Sequence, residues 1–174
     1  MFRRRMPGHG IEITNQTQNH TAMQDFQFSL LISAPIHEVF NALTIGIHQW
    51  WTEDVEGSAN KKGDEFKIRF GSTFKTMSVS DIIPDQLVVW TCIQAHINNP
   101  KLKDKSEWVG TNIVWDLKEE RHQTRLLITH FGLTEEFECY DICKQGWVFY
   151  IRESLLPWLT TGKGKPDKKR LVVQ

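Results

Sequence analysis

ECYDICKQGWVFYIRESLLPWLTTGKGKP, residues 138–166, is the one long helical pattern in the chain. Apolar residues recur at Ile142, Phe149 and Leu156, and again at Trp147, Ile151, Leu155, Trp158 and Leu159, a spacing near 3.6 residues and not 2. Two apolar stripes predict a helix covered on more than one side. Asp141 is the expected cap, ahead of Cys139, because its carboxylate accepts from free backbone N–H groups, and Gly162, Gly164 and Pro166 close the helix. Gly146 costs about 1 kcal/mol against Ala in a helix interior, so it predicts a close approach by another part of the chain or by a ligand.

Everything before Thr134 reads as material for that helix to pack on. Phe26, Phe28, Leu30 and Ile32 alternate with polar neighbours, as a half-buried strand requires. At Ala34-Pro35 the period changes. Ile36, Val39, Phe40 and Leu43 follow helical spacing with Pro35 suited to the first position, and a second short helix covers Ile47 to Trp51. Thr52 to Asp64 is read as a solvated connection. Further strands succeed one another with no intervening helix: Glu65 to Phe70, Phe74 to Ile83, Leu87 to Ile93, Trp108 to Leu117 and Arg125 to Phe131. Pro84-Asp85 and the charged run Lys118 to Gln123 mark hairpin turns, and His96 to Glu107 a polar loop. The expected architecture is α+β: a curved antiparallel sheet wrapped around the C-terminal helix, with two short helices after the first strand.

The 174 residues suit one domain, placed at 24–166, with an unpacked tail at 1–23 and a basic tail at 167–174. Twenty-one basic residues balance 21 acidic ones, which excludes a general electrostatic footprint for nucleic acid. The arginines at 3–5 are followed by no apolar run, so no secretory signal is expected, and no segment is long enough to span a membrane. Cys92, Cys139 and Cys143 are an odd count with no second metal-ligand pair, which predicts a reduced, cytoplasmic protein with no metal and no cofactor. The distinctive feature is aromatic: seven Trp and ten Phe, the residue types that dominate cores and pocket walls.

Four stretches carry a resemblance: Gly146-Trp147 with Phe149, Tyr150, Ile151, Ser154, Leu155 and the run Thr161 to Pro166; Ser33-Ala34-Pro35 with Val39-Phe40; Trp50-Trp51-Thr52; and Glu107-Trp108-Val109-Gly110-Thr111. In order and spacing they are similar to small bacterial proteins related to the activator of the heat-shock-protein-90 ATPase. These belong to the START-like, or SRPBCC, helix-grip superfamily that includes the birch-pollen allergen. The likeness covers about Phe26 to Pro166. It implies a six- or seven-stranded sheet and a largely apolar internal cavity, but no single chemistry, since the relatives include lipid carriers, polyketide cyclases and co-chaperone domains.

Period-two alternation places Trp90 with Cys92, and Leu126 with Ile128 and His130, on shared faces. With Trp50, Trp51, Met77, Trp115, Ile142, Gly146 and Phe149 they make up the expected lining of a cavity between sheet and helix. Its expected occupant is a small apolar or aromatic molecule, lipid-like or polyketide-like. An enzyme of cyclase, aromatase or dehydratase type would use His130 or Glu153 as proton carrier, with Cys92 a further nucleophile candidate. A co-chaperone-like domain would instead meet a heat-shock ATPase through its surface. Glu53, Asp54 and Glu56 are read as the cavity mouth or a solvated loop, and Lys163, Lys165, Lys168, Lys169 and Arg170 as a solubilising end.

Overall fold

Alternating side chains build the sheet, and two bulges bend it. A computed structural model describes residues 23–170; the tail assignments for 1–22 and 171–174 lie outside the described residues. The elements are β1 (Phe26–Ile32), α1 (Ile36–Thr44), α2 (Ile47–Trp50), β2 (Val55–Gly57), β3 (Glu65–Phe70), β4 (Thr73–Ile83), β5 (Leu87–His96), β6 (Asn112–Glu120), β7 (Gln123–Phe131), α3 (Tyr140–Phe149), a π-helical segment (Tyr150–Leu155) and α4 (Leu156–Thr161). All seven strands form one sheet in the order β1-β7-β6-β5-β4-β3-β2, antiparallel throughout. The α+β helix-grip arrangement expected from the sequence is the one observed. Because β1 and β2 lie at opposite edges, α1 and α2 must carry the chain across one end of the sheet, which brings Trp50 and Trp51 beneath the concave face.

On β4 the inward residues are Lys75, Met77 and Val79; on β5, Val88, Trp90 and Cys92; on β6, Ile113, Trp115 and Leu117; on β7, Leu126, Ile128 and His130. Register shifts between Thr76 and Met77 and between Val79 and Asp81 interrupt the β4–β5 ladder, and such bulges increase local bend and twist. The long C-terminal helix lies in the resulting trough with Trp147, Ile151, Ser154 and Leu155 inward. The stripe expected through Ile142 and Phe149 is not buried: these residues are 52% and 45% exposed, because the sheet covers only one side of α3.

Several local expectations change. The connection Thr52 to Asp64 contains β2, paired to β3. Trp108 precedes β6, in the turn that delivers it to the helix. Asp141 does not cap α3. Glu107 does, accepting from Glu138 N at 2.7 Å and Cys139 N at 2.9 Å through its two carboxylate oxygens. This ties the loop after β5 to the start of α3. Gly146 has no chain atom within 4 Å of where a Cβ would stand, so nothing in the chain forces glycine there.

The π-helical segment widens the helix ahead of Pro157, which has no N–H to donate. It aims Ser154 at α2: Ser154 Oγ donates to Trp50 O at 2.5 Å and accepts from Lys165 N at 2.6 Å. Gly162, at φ +74°, then turns the chain out of the helix. The segment that follows is held against α2 and the start of β2. Glu53 N donates to Asp167 O and Asp167 N to Trp51 O, while Lys168 meets Glu53 and Lys169 meets Asp54. Residues 167–170 are therefore pinned, and the acidic cluster pairs with them and with Arg69 rather than lining a cavity mouth. Among the described residues no helix is long and apolar enough to cross a membrane.

Candidate functional site

The space between sheet and helix is filled by tryptophan. Trp51 stacks on Trp50, Trp90 and Trp147 with centroid distances of 5.6, 5.7 and 4.9 Å, and Trp115 meets Trp50, Trp90 and Trp147 edge-on. Trp108 stacks on Trp147 from the other side at 5.8 Å. Six of the seven tryptophans thus form one continuous cluster in the region where a central cavity is expected. Trp50, Met77, Trp90, Cys92, Trp115, Ile128 and His130 are core residues.

His130 is fully enclosed and both its ring nitrogens are engaged. Trp147 Nε1 can only donate, and it does so to Nδ1 at 3.1 Å, so Nε2 carries the proton and donates to Thr111 Oγ1 at 2.9 Å. Thr111 in turn donates to Trp108 O at 2.7 Å. Burial, helped by the Lys75 charge, lowers the His130 pKa to about 3. Its expected role as proton carrier has no route to a substrate; it is a linker joining β7, the Trp108 turn and α3. Glu153 points to solvent and pairs with Lys165 at 3.8 Å, so it does not join His130. Cys92 is buried, with its thiol pushed up to about 11 mainly by burial, which removes it as a nucleophile.

On one flank of α3, against the tryptophan cluster, lies a cleft of about 190 Å³ lined by Trp51, Phe70, Thr73, Lys75, Ile97, Trp108, Ile142, Cys143, Gly146, Trp147 and Tyr150. Of the expected lining, Trp51, Ile142 and Gly146 reach it; Phe149 faces away and rests edge-on against Tyr150. Gly146 serves by leaving space, since a side chain there would project into the cleft wall.

Lys75 is the unusual member. It is 8% exposed, and among the described residues it has no carboxylate within 4.0 Å and no hydrogen-bond partner. Its ammonium instead lies 4.2 Å from the Trp108 ring centroid and 5.4 Å from that of Phe70. Burial lowers its pKa, opposed by the neighbouring cysteine thiols. The signal was present in the sequence: Lys75 shares its strand face with Met77 and Val79, so period-two alternation turns it inward with them.

Across the cleft is the Cys143 thiol on α3, with Cys139 just ahead of that helix. Cys143 Sγ accepts from Trp108 Nε1 at 3.1 Å and lies 3.0 Å from Cys139 Sγ. Cys143 thus accepts from Trp108 and donates its own S–H to Cys139. The Cys143 pKa is lowered by that hydrogen bond first, then by Lys75 and Trp108, while the same bond raises that of Cys139. Tyr150 adds a phenol raised to about 12 by burial, a neutral donor throughout the ordinary pH range. Among the described residues no group of three or more His, Cys, Asp or Glu side chains has metal-site geometry.

Residues 33–155 match the family described as Activator of Hsp90 ATPase homolog 1-like protein. No curated protein matches the sequence. Among solved structures, the Aha1 dimer from Colwellia psychrerythraea shares 29% identity at a TM-score of 0.67, covering 82% of this chain and all of that one. DynU16, a protein of the dynemicin biosynthetic locus, shares 20% identity at 0.62 over 82% of this chain, which spans half of that protein's length. MLL2253 from Mesorhizobium loti shares 17% identity at 0.59, covering 77% of this chain and 96% of the other. The two structures below 25% identity speak for the fold alone. With the family match spanning most of the chain, the protein belongs to the Activator of Hsp90 ATPase homolog 1-like family, within the START-like or SRPBCC superfamily.

Proposed function

We propose that the protein binds a small aromatic or apolar molecule bearing an anionic or carbonyl group, seated in the cleft beside α3. The observation that carries this reading is Lys75, an amine inside an apolar cleft with no acceptor of its own among the described residues. A largely buried amine loses most of its hydration, and a ligand oxygen placed on Nζ would give it a hydrogen-bond partner. The walls formed by Trp51, Trp108, Trp147, Phe70 and Tyr150 suit one ring stacked among them. A volume of about 190 Å³ is below the usual range for drug-sized ligands of roughly 300–1,000 Å³, which favours a single-ring compound over a two-chain lipid.

The test is a titration of intrinsic tryptophan emission and of melting temperature with single-ring carboxylates, matched neutral amides and long-chain fatty acids. Carboxylates should raise the melting temperature, since binding to the folded state alone adds about 2.7 kcal/mol of stability at 100 times Kd. Lys75→Met should erase the preference for carboxylate over amide. No response to any ring compound, or a preference indifferent to Lys75, would sink the reading.

One observation favours a second reading, in which the surface meets a protein. Ile142, at the rim of the cleft, and Phe149, turned away from it, are both exposed on α3, and exposed apolar positions on a helix suit a partner. The Colwellia protein is described as a dimer, and a second copy of this chain is the partner this reading takes. Sedimentation equilibrium should give a dimer that Phe149→Asp converts to monomer. A wild-type monomer that captures a heat-shock ATPase would assign the face to that partner instead.

A further inference from the structure

Cys143 has surroundings that ligand binding by itself does not use. Its sulfur accepts from Trp108 Nε1 and its S–H points to Cys139 Sγ, and it borders the cleft on the helix side while Lys75 borders it on the β4 side. Trp108 stands between the two, with its ring under Lys75 Nζ and its N–H on Cys143 Sγ. Trp108 is itself fixed in place, because the preceding residue, Glu107, is bonded to the start of α3. The charged and titratable groups around the pair are Cys92 on β5, Cys139 at the start of α3, Glu107 with its oxygens engaged at the helix start, and the enclosed, neutral His130. Among the described residues no carboxylate lies close enough to Lys75 to hold it as a permanent ion pair.

We infer that Cys143 and Lys75 form a nucleophilic thiol–amine pair that captures an α,β-unsaturated carbonyl compound covalently in this cleft. The inference rests on the ligand-binding reading above and names the chemical class of ligand. The Cys143 thiol gives its proton to solvent in the open cleft, its thiolate favoured by the Trp108 N–H and by the Lys75 charge across the cleft. The thiolate, held by Trp108 N–H, attacks the β carbon. A C–S bond forms, the C=C π bond breaks, and its electron pair moves to the carbonyl oxygen as an enolate. Lys75 ammonium faces that developing charge and gives its proton to the α carbon, then takes up from solvent the proton that Cys143 released, leaving a saturated thioether ketone. The sum is one thiol added across one double bond, with no oxidant or reductant. Cys139 is a positioning residue in this scheme. Cys92, enclosed and held as a thiol, is a built-in control.

The experiment uses two probes of nearly equal size, 4-phenyl-3-buten-2-one and its saturated counterpart 4-phenyl-2-butanone. Tryptophan emission reports reversible binding of the saturated ketone, and intact-protein and peptide mass spectrometry report adducts of the unsaturated one. The expected result is a single adduct at Cys143 and none at Cys92, forming at a rate that saturates with probe concentration. It should be slowed by the saturated ketone, and at saturating probe the bond-forming step should be slower by roughly 10²-fold in Lys75→Met, the lower range for loss of a general acid–base group. Protection of Cys143 from iodoacetamide by the saturated ketone gives a readout in the wild-type protein that depends on no variant. If the saturated ketone binds but Cys143 stays unmodified, or Lys75→Met reacts as fast as wild type, the covalent inference is overturned and the binding reading stands. If the saturated ketone does not bind and adduct grows linearly with concentration at the rate of free glutathione, both are overturned.

Discussion

Lys75 and His130 are both buried on the concave face, yet they follow opposite logic. His130 is satisfied at each nitrogen, whereas Lys75 has aromatic rings in place of an acceptor. The first prediction concerns cost. Lys75→Met keeps most of the volume and removes the desolvated amine, so it should stabilise the protein by roughly 1–4 kcal/mol in urea unfolding at pH 7. Because burial depresses the Lys75 pKa below 10.5, the folded state holds fewer protons than the unfolded one. The penalty is therefore present at low pH and fades as pH rises toward 10.5, and the advantage of Lys75→Met should shrink on that path. A gap that widens with pH would contradict this. The second prediction uses the same sign. With its pKa lowered from 6.5 to about 3, His130 should cost the wild type stability as pH falls through that window, on the order of 4 kcal/mol at its lower end. His130→Gln should show a flatter acid limb; identical limbs would mean that another group governs acid unfolding. Both side chains bear on what a sequence can convey. The inward direction of each follows from strand alternation, but satisfaction does not: the turn that holds Trp108 and Thr111 and the helix that holds Trp147 are distant in the chain.

At the level of elements, what the sequence conveyed was period and punctuation, and what it could not convey was the identity of distant partners. The strands from Glu65 to Phe131 and the helix from Tyr140 were legible because alternation and 3.6-residue spacing are local. The cap on α3 was not, because Glu107 lies 31 residues from Glu138. Nor was the pinning of Lys168 and Lys169, whose acidic partners lie more than 100 residues earlier. The π-helical segment shifts the facing of everything after Phe149, so a uniform 3.6-residue count could not hold across it. Two predictions belong to this scale. Gly164 cannot carry a side chain, since a Cβ would stand 2.1 Å from Gln49 O, and Ser154 bonds both Trp50 O and Lys165 N. Ser154→Ala should cost about 1–3 kcal/mol by leaving those groups unpaired, and Gly164→Ala should cost at least as much. Unchanged denaturation midpoints would show that the segment after α4 contributes nothing to stability. The β6–β7 turn offers the opposite sign. Arg121 and His122 both have positive φ, 49° and 69°, a conformation in which an Asn-Gly pair is at ease. Combining Arg121→Asn with His122→Gly should raise stability by roughly 1–2 kcal/mol, measured as a shift in midpoint at constant m-value.

For the molecule as a whole, the filling of the trough by tryptophan decides what the fold can hold. The same alternation that would line a cavity also packs a core, and side-chain volume settles between them only when the distance from sheet to helix is known. Here Trp50, Trp51, Trp90, Trp115 and Trp147 occupy the interior, and a cleft bordered by Lys75 and Cys143 lies on its flank. The cluster is not uniform in its polar bonding. Trp50 Nε1 donates to Ala42 O at 2.8 Å and Trp147 Nε1 to His130, whereas Trp90 and Trp115 Nε1 are buried with no partner among the described residues. A buried unsatisfied donor costs about 1–3 kcal/mol, and that cost disappears with the N–H in a change to Phe. Each Trp→Phe change also leaves a void, which costs more the larger it is. The two terms oppose each other at Trp90 and Trp115. They add at Trp50 and Trp147, where the change also strands Ala42 O or His130 Nδ1. Trp90→Phe and Trp115→Phe should therefore be the milder pair and Trp50→Phe and Trp147→Phe the harsher, separated by about 1–3 kcal/mol in urea unfolding. The reverse order would mean that the stacked rings, and not the polar bonds at their edges, determine the stability of this core.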